Sequence, residues 1–288
     1  MRYMRRLTFL LVVLVSQQTV SLRSQDITLP VQPGSVRFAA IGDMGTGNLP
    51  QYQVAERMFA FHQKFPFTFV IMLGDNIYGG KTPVDLQKKF DIPYQMLMAA
   101  GVQFYASLGN HDDTNQRFYK VFNMNEQQYY TFKKGNVHFF ALDSNYLDPK
   151  QLEWLEKELA NAGETDWKIC FFHHPLYSSG ATHGSSTELR AVLEPLFLKY
   201  GVQVVFAGHD HVYERVKPQK GIYYFTEGAS GQLRRGNLTK TNLTAVGYDQ
   251  DQSFLTVEIS GDDLYFQAVS RTGVTIDSGT IRRAVAVQ

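Results

Sequence analysis

The chain has 288 residues, 44% of them hydrophobic and 19% charged, with 28 basic and 27 acidic side chains. That much apolar side chain excludes a disordered protein, because it can offset the ordering entropy of a compact core. A net charge of +1 excludes capture of nucleic acid or an anionic membrane through an overall field, so an anionic ligand must be drawn by charge gathered at one site.

In chain order, residues 1–6 carry Arg2, Arg5 and Arg6, residues 7–15 are apolar except for Thr8, and residues 16–21 are polar. This is the pattern of a secretory signal peptide, and the apolar run is too short to cross about 30 Å of hydrocarbon as a helix. The expectation is a leader over residues 1–21 and one domain over residues 22–288. The protein would be secreted or periplasmic, with no stable membrane span after cleavage.

Beyond the leader the period alternates. Residues 36–41 are a short apolar run, and residues 51–65 place Val54, Met58, Phe61 and Phe65 at helical spacing. The pattern repeats as strands over 67–73, 104–108, 167–172 and 202–207, with helices over 86–98, 149–160 and 187–200. Ser185 and Glu188 stand at the spacing of a capping box for the last helix. Residues 129–132 and 137–142 read as a hairpin. From residue 222 strands dominate, over 222–226, 254–259, 264–269 and 274–276. Near-continuous apolar strands alternating with helices predict an α/β fold with a largely parallel sheet, and the second half predicts a more antiparallel sheet packed on the first.

Cys170 is the sole cysteine, which excludes an intrachain disulfide and a thiolate zinc site. It reads as a small core residue, as do Phe139, Phe140, Phe171 and Phe172. Two sequons, at Asn237 and Asn242, read as parts of a surface loop. His62 and His138 have no motif around them and read as solvated or hydrogen-bonded side chains. Glu214 and Arg215 read as a structural ion pair or strand-face pair.

The chemistry lies in the turns at the ends of the buried strands. The runs end in Gly42-Asp43-Met44-Gly45, Gly74-Asp75-Asn76-Ile77-Tyr78, Gly109-Asn110-His111-Asp112, His173-His174-Pro175 and Gly208-His209-Asp210-His211. Ligands of open α/β sheets bind at the carboxyl ends of the strands, so these turns would deliver carboxylates, an amide and imidazoles to one rim. Any one motif alone would read as a turn; the set in this order does not.

On these motifs the chain resembles the calcineurin-like metallophosphoesterases, and among them the small purple acid phosphatases of the tartrate-resistant type. The resemblance implies a two-sheet β-sandwich flanked by helices, in four layers. Many members carry D-x-H in the first motif, where this chain has Gly45; Tyr78, three residues after Asp75, matches the tyrosine that purple acid phosphatases use instead. The family pattern implies that Asp43, Asp75, Tyr78 and His211 bind Fe(III), and that Asp75, Asn110, His173 and His209 bind a second divalent metal, Fe, Zn or Mn. Carboxylate and phenolate suit a hard trivalent ion, imidazole and amide a divalent one. His173 rather than His174 is the implied ligand, because it stands two residues before the proline.

The implied reaction is hydrolysis of a small phosphorylated substrate, a phosphate monoester, by a metal-bound hydroxide at acidic pH. His111 and His183 are the implied catalytic residues, with Asp112 expected to orient His111. Asp143 is a candidate neighbour of the ligands. A phosphodiesterase or broad phosphoesterase on the same metals is the alternative, and a non-catalytic exported binding protein or an iron redox protein stands further off. No nucleic-acid partner is expected, and the sequence leaves the oligomeric state open.

Overall fold

The computed structural model describes residues 27–283 except Lys81 and Lys240, so the expected leader lies outside the described residues. Two mixed sheets face each other. The first, in the order β13-β12-β11-β1-β2-β3, comprises β1 (Val36–Ile41), β2 (Phe69–Leu73), β3 (Gln103–Ser107), β11 (Ser253–Ser260), β12 (Asp263–Ser270) and β13 (Thr275–Arg282). The second runs β10-β8-β9-β7-β6-β5-β4. Its strands are β4 (Tyr130–Lys134), β5 (Val137–Ala141), β6 (Trp167–Phe171), β7 (Val204–Ala207), β8 (Tyr213–Val216), β9 (Tyr223–Glu227) and β10 (Thr244–Tyr248). Strands β1 to β3 are parallel, as are β5, β6, β7 and β9.

Alternation along each strand divides the side chains between two apolar layers. Phe139, Phe171 and Phe206 point into the layer between the sheets, whereas Phe140, Cys170 and Val205 point outward under the helices of the second sheet. Both faces are covered, which is why these strands read as unbroken apolar runs. Between the sheets Phe38 of β1 meets Phe139 and Phe206 edge-on, at 5.3 and 5.9 Å between ring centroids. Helix α1 (Leu49–His62) contributes Val54, Met58 and Phe61 to the core. Helices α4 (Pro149–Asn161) and α5 (Thr187–Tyr200) bury Leu155, Leu159, Leu193 and Phe197 in the outer layer. The architecture is the expected helix-flanked sandwich.

Four details differ from the sequence reading. The helix expected over 86–98 begins earlier, as α2 (Pro83–Leu86), passes through a π-helical turn (Gln87–Asp91) and continues as α3 (Ile92–Ala99). The irregularity precedes Pro93, which has no N–H to give to the carbonyl one turn back. That carbonyl, of Lys89, accepts instead from Gln51 Nε2 at 2.5 Å. The C-terminal strands do not form a second sheet of their own: β11 pairs antiparallel with β1 and closes its edge, and β12 and β13 extend the same sheet. Strand β13 runs past Val274–Ile276 through a polar stretch, because its sole interior carboxylate, Asp277, is occupied. It receives Arg215 at 2.7 and 3.2 Å and Tyr213 Oη at 2.8 Å, so the ion pair of Arg215 joins the two sheets instead of pairing with Glu214. Finally, the capping box does not form. Ser186 is the N-cap without a side-chain bond, and Ser185 Oγ is engaged with the backbone of Ser178.

Candidate metal centre

Parallel strands of both sheets end at one rim. Asp43 follows β1, Asp75 follows β2, Asn110 and His111 follow β3, His173 follows β6, and His209 and His211 follow β7. Asp43, Asp75 and His209 hold φ of 54°, 51° and 71°, the left-handed region that costs a non-glycine residue on the order of 1 kcal/mol. Three such residues at one rim are held there by hydrogen bonds: Asp43 N donates to Gly74 O at 3.0 Å, and His209 N donates to Asp43 Oδ2 at 2.8 Å. The backbones approach closely, so that a Cβ on Gly208 would lie 2.5 Å from Asp43 Oδ2.

The side chains form two groups. In one, Tyr78 Oη lies 3.0 Å from Asp43 Oδ1 and 3.2 Å from His211 Nε2, and the last two atoms are 3.3 Å apart. In the other, His173 Nε2 lies 3.0 Å from Asn110 Oδ1 and 3.0 Å from His209 Nδ1. Asp75 stands between them, with Oδ2 3.5 Å from His173 Nε2, and ligand atoms of Asp43, Asp75 and His173 all fall within 4.8 Å of one another. His174 also comes within that distance of His173 and His209. The two histidines differ in what holds them. His173 is fully buried and turns Nδ1 to Leu73 O at 2.9 Å, which leaves Nε2 free to face the other donors. The Nδ1 of His174 is engaged by Ser144 Oγ at 2.9 Å.

The backbone is closely packed at position 45 as well. A Cβ on Gly45 would lie 1.9 Å from the carbonyl oxygen of Asn76, so the backbone leaves no space for a side chain there.

The donor set calls for positive charge. Asp43 and Asp75 are buried, and among the described residues neither has a lysine or arginine in an ion pair. Burial, reinforced by the charge of Asp75, holds the Asp43 carboxyl well above the usual carboxylate range. Burial and the two carboxylates push the Tyr78 hydroxyl far up. Burial depresses His211 to about 4 and, with His173 beside it, His209 to about 2, so these rings stay neutral and keep a lone pair to offer. Two carboxylates, a phenol, an amide oxygen and neutral imidazoles at these separations fit a pair of cations, with the oxygen-rich group suited to the harder one.

His111 and His183 reach the same rim and are exposed. The His111 ring lies 4.9 Å from the Tyr78 ring and its backbone N–H donates to Asp75 Oδ1 at 2.9 Å; the His183 ring lies 4.0 Å from that of His209. Asp112 does not orient His111. Its carboxylate accepts from the backbone N–H groups of Gly109, Asn76 and Ile77 at 2.8, 3.0 and 3.0 Å and from Gln116 Nε2 at 2.8 Å, tying the second motif to the third. Asp210, between the last two histidines, has no assigned role in the sequence reading. It is fully buried and accepts from Ser178 Oγ at 2.5 Å and Gly184 N at 3.1 Å, anchoring both ends of the loop that carries His183. Asp143 is buried beside the rim and accepts from Asn145 at 3.0 Å.

One other reading changes. The Asn237 sequon is buried, and its Oδ1 accepts from Thr182 N and Oγ1 at 3.1 and 2.6 Å; Asn242 is exposed. His62, hydrogen-bonded to the backbone of Phe67 as expected, and His138 are half-buried against aromatic rings, and burial holds both below the ordinary histidine value.

A second buried carboxylate lies behind Asp43. Burial pushes Glu227 to about 8 against hydrogen bonds from Ser253 Oγ at 2.8 and 3.1 Å, and Asp43 adds to the rise. Because its folded value exceeds the ordinary 4.5, the folded state retains a proton that the unfolded chain releases. Its contribution is therefore fully present below about 4.5 and is lost as pH rises through about 8. Glu227→Gln is expected to raise the melting temperature of the metal-free protein more at pH 9 than at pH 5. An equal change at both, read by thermal melts, would contradict it.

Comparison with known proteins agrees with this geometry. The family model described as calcineurin-like phosphoesterase matches residues 36–213. A soybean purple acid phosphatase is 38% identical over 112 residues, 37% of this chain and 24% of that protein. The mouse tartrate-resistant acid phosphatase type 5 is 26% identical over 299 residues, 86% of this chain and 91% of that protein. Among solved structures, GAP50, the anchor in the inner membrane complex of Plasmodium, superposes with a TM-score of 0.78 at 20% identity over 87% of this chain and 90% of its own. A purple acid phosphatase from yellow lupin seeds superposes with a TM-score of 0.72 at 21% identity over 88% of this chain and 55% of its own. The chain belongs to the calcineurin-like phosphoesterase family, and its likeness within that family runs to the purple acid phosphatases.

Proposed function

We propose that the protein is an exported acid phosphatase that hydrolyses phosphate monoesters at a dinuclear metal site. In this reading residues 1–21 are a cleaved leader and residues 22–288 form one catalytic domain. Asp43, Asp75, Tyr78 and His211 hold Fe(III), and Asp75, Asn110, His173 and His209 hold divalent Fe, Zn or Mn. The observation that carries the reading is the gathering of these side chains into two donor groups with Asp75 between them. When bound, such a metal pair supplies the charge that draws a phosphate and activates water.

The chain's own groups do the rest. His111 and His183 flank the donors, placed to hydrogen-bond the phosphate oxygens and the leaving alcohol. Burial, then the charge of Arg234, holds His183 below the ordinary histidine value, which makes its protonated form a stronger acid toward a departing oxygen. Asp210 fixes the loop that places it. Among the described residues no helix is long and apolar enough to cross a membrane.

The test compares turnover of p-nitrophenyl phosphate with that of bis(p-nitrophenyl) phosphate across pH. The expected result is an acidic optimum and a preference for the monoester, both lost on chelation. Equal or faster turnover of the diester would favour the phosphodiesterase alternative, and no turnover of either by metal-loaded protein would overturn both.

A further inference from the structure

The turn that carries Tyr78 runs on into Gly79, with φ of 65°, and Gly80, so the sequence itself gives the backbone after this residue little stiffness. Its hold comes from neighbours. Tyr78 N donates to Gly45 O at 2.9 Å, and Tyr78 O accepts from Lys89 Nζ at 2.7 Å. The same ammonium donates to Asp85 Oδ1 at 2.7 Å, and a Cβ on Gly80 would lie 2.1 Å from that carboxylate, so Asp85 is pressed against the loop that its partner fixes. Lys89, then Thr82, holds the Asp85 carboxyl down at about 2, and the pair therefore stays charged at the acidic pH of the proposed reaction.

Lys89 is itself placed by an irregularity. It lies in the π-helical turn Gln87–Asp91 between α2 and α3, and single π turns of this kind recur at functional sites. The turn is braced from α1. Buried Gln51 donates through Nε2 to Lys89 O and accepts from Gly47 N at 2.7 Å, and Tyr52 Oη donates to Lys88 O at 2.7 Å. Gln51 thus ties the loop after the first motif to the π turn, and Lys89 ties the π turn to the second motif. Only 12% of the Lys89 side chain is exposed. An ammonium that gives up most of its hydration for a backbone carbonyl and one carboxylate is a fixed tether, not a solvated surface charge.

We propose that Lys89 is a positioning residue for Tyr78, whose bond to the Tyr78 carbonyl sets where the phenol oxygen stands relative to Asp43 and His211. This rests on the proposed function for the ion that Tyr78 meets, and on the hydrogen bonds alone for the tether.

The test uses the full-length protein and three variants: Lys89→Met, which keeps the stem without a donor, Lys89→Arg, which keeps a donor, and Lys88→Met, an exposed neighbour in the same turn. In the iron-loaded protein, Lys89→Met is expected to lose iron to a chelator about tenfold faster than wild type and to show a displaced visible band. Lys89→Arg should recover part of both, and Lys88→Met should match wild type. In the metal-free protein, hydrogen exchange at the Tyr78 N–H should be about tenfold faster in Lys89→Met, with the amides of β1 and β2 unchanged. Wild-type iron retention, band and exchange in Lys89→Met would overturn the inference while leaving the phosphatase reading intact, and so would equal losses in Lys88→Met. Equal acceleration of exchange across the sheet would assign Lys89 to the fold and overturn it as well. A colourless wild type that does not hold iron would overturn the proposed function instead; the tether would then be upheld by faster Tyr78 exchange in metal-free Lys89→Met and overturned by unchanged exchange.

Discussion

Asp75→Asn is expected to lower kcat/KM for phosphate monoesters by at least about 10³-fold and to reduce the metal content from about two ions per chain to about one. The substitution keeps the shape of the side chain, and the His111 N–H that now donates to Oδ1 at 2.9 Å can donate to the amide oxygen. What it removes is charge and the second acceptor oxygen at the point between the two donor groups, 3.5 Å from His173 Nε2. With Asp75 neutral, Asp43 would be the one buried carboxylate left in the donor set where two now stand. Circular dichroism should be unchanged, which separates loss of the centre from loss of the fold. Activity within tenfold of wild type would contradict the placement of Asp75 between two metals.

Asp112→Ala should do its damage through the backbone. Three N–H groups, of Gly109, Asn76 and Ile77, and the Gln116 amide would lose their shared acceptor. Unmade bonds of this kind cost about 3 kcal/mol together, a fall of roughly 6 °C in melting temperature for a domain of this size. The second and third motifs would also separate, so activity should fall with stability. Asp112→Asn, which keeps one oxygen acceptor, should recover part of both. A stable but inactive Asp112→Ala protein would point to direct action on His111 or substrate.

The gathering of these side chains at one rim was largely readable from the sequence because nearly every one stands within a few residues of a buried strand's end, and a parallel sheet delivers such positions to one edge whatever the details of packing. Tyr78 was readable together with Gly45, where the 1.9 Å approach of Asn76 O leaves no space for a side chain. The supporting carboxylates were not. Asp112 is adjacent to His111 in sequence, which suggests contact, but in a tight turn consecutive side chains diverge and this one folds back on the N–H groups of two loops. Asp210 has no signal beyond lying between two histidines, since its partners, Ser178 and Gly184, are distant in the chain.

The strands β8, β10 and most of β13 were missed for a related reason. Their polar residues are satisfied by partners in other elements, as Asp277 is by Arg215 and Glu214 is by Ser179 N at 2.8 Å and Thr244 Oγ1 at 2.6 Å. Periodicity cannot anticipate that. The likeness to GAP50 also shows that this fold serves an anchor as well as hydrolases, so activity has to be read from the donors themselves and not from the fold.

The most direct measurement is the visible spectrum and metal content of the purified protein beside its Tyr78→Phe variant. A tyrosine oxygen on Fe(III) predicts a purple sample with about two metal ions per chain, at least one of them iron, and a band that disappears or shifts strongly in the variant. A colourless protein that carries zinc or manganese alone, or a coloured one whose band is the same without the Tyr78 hydroxyl, would contradict it.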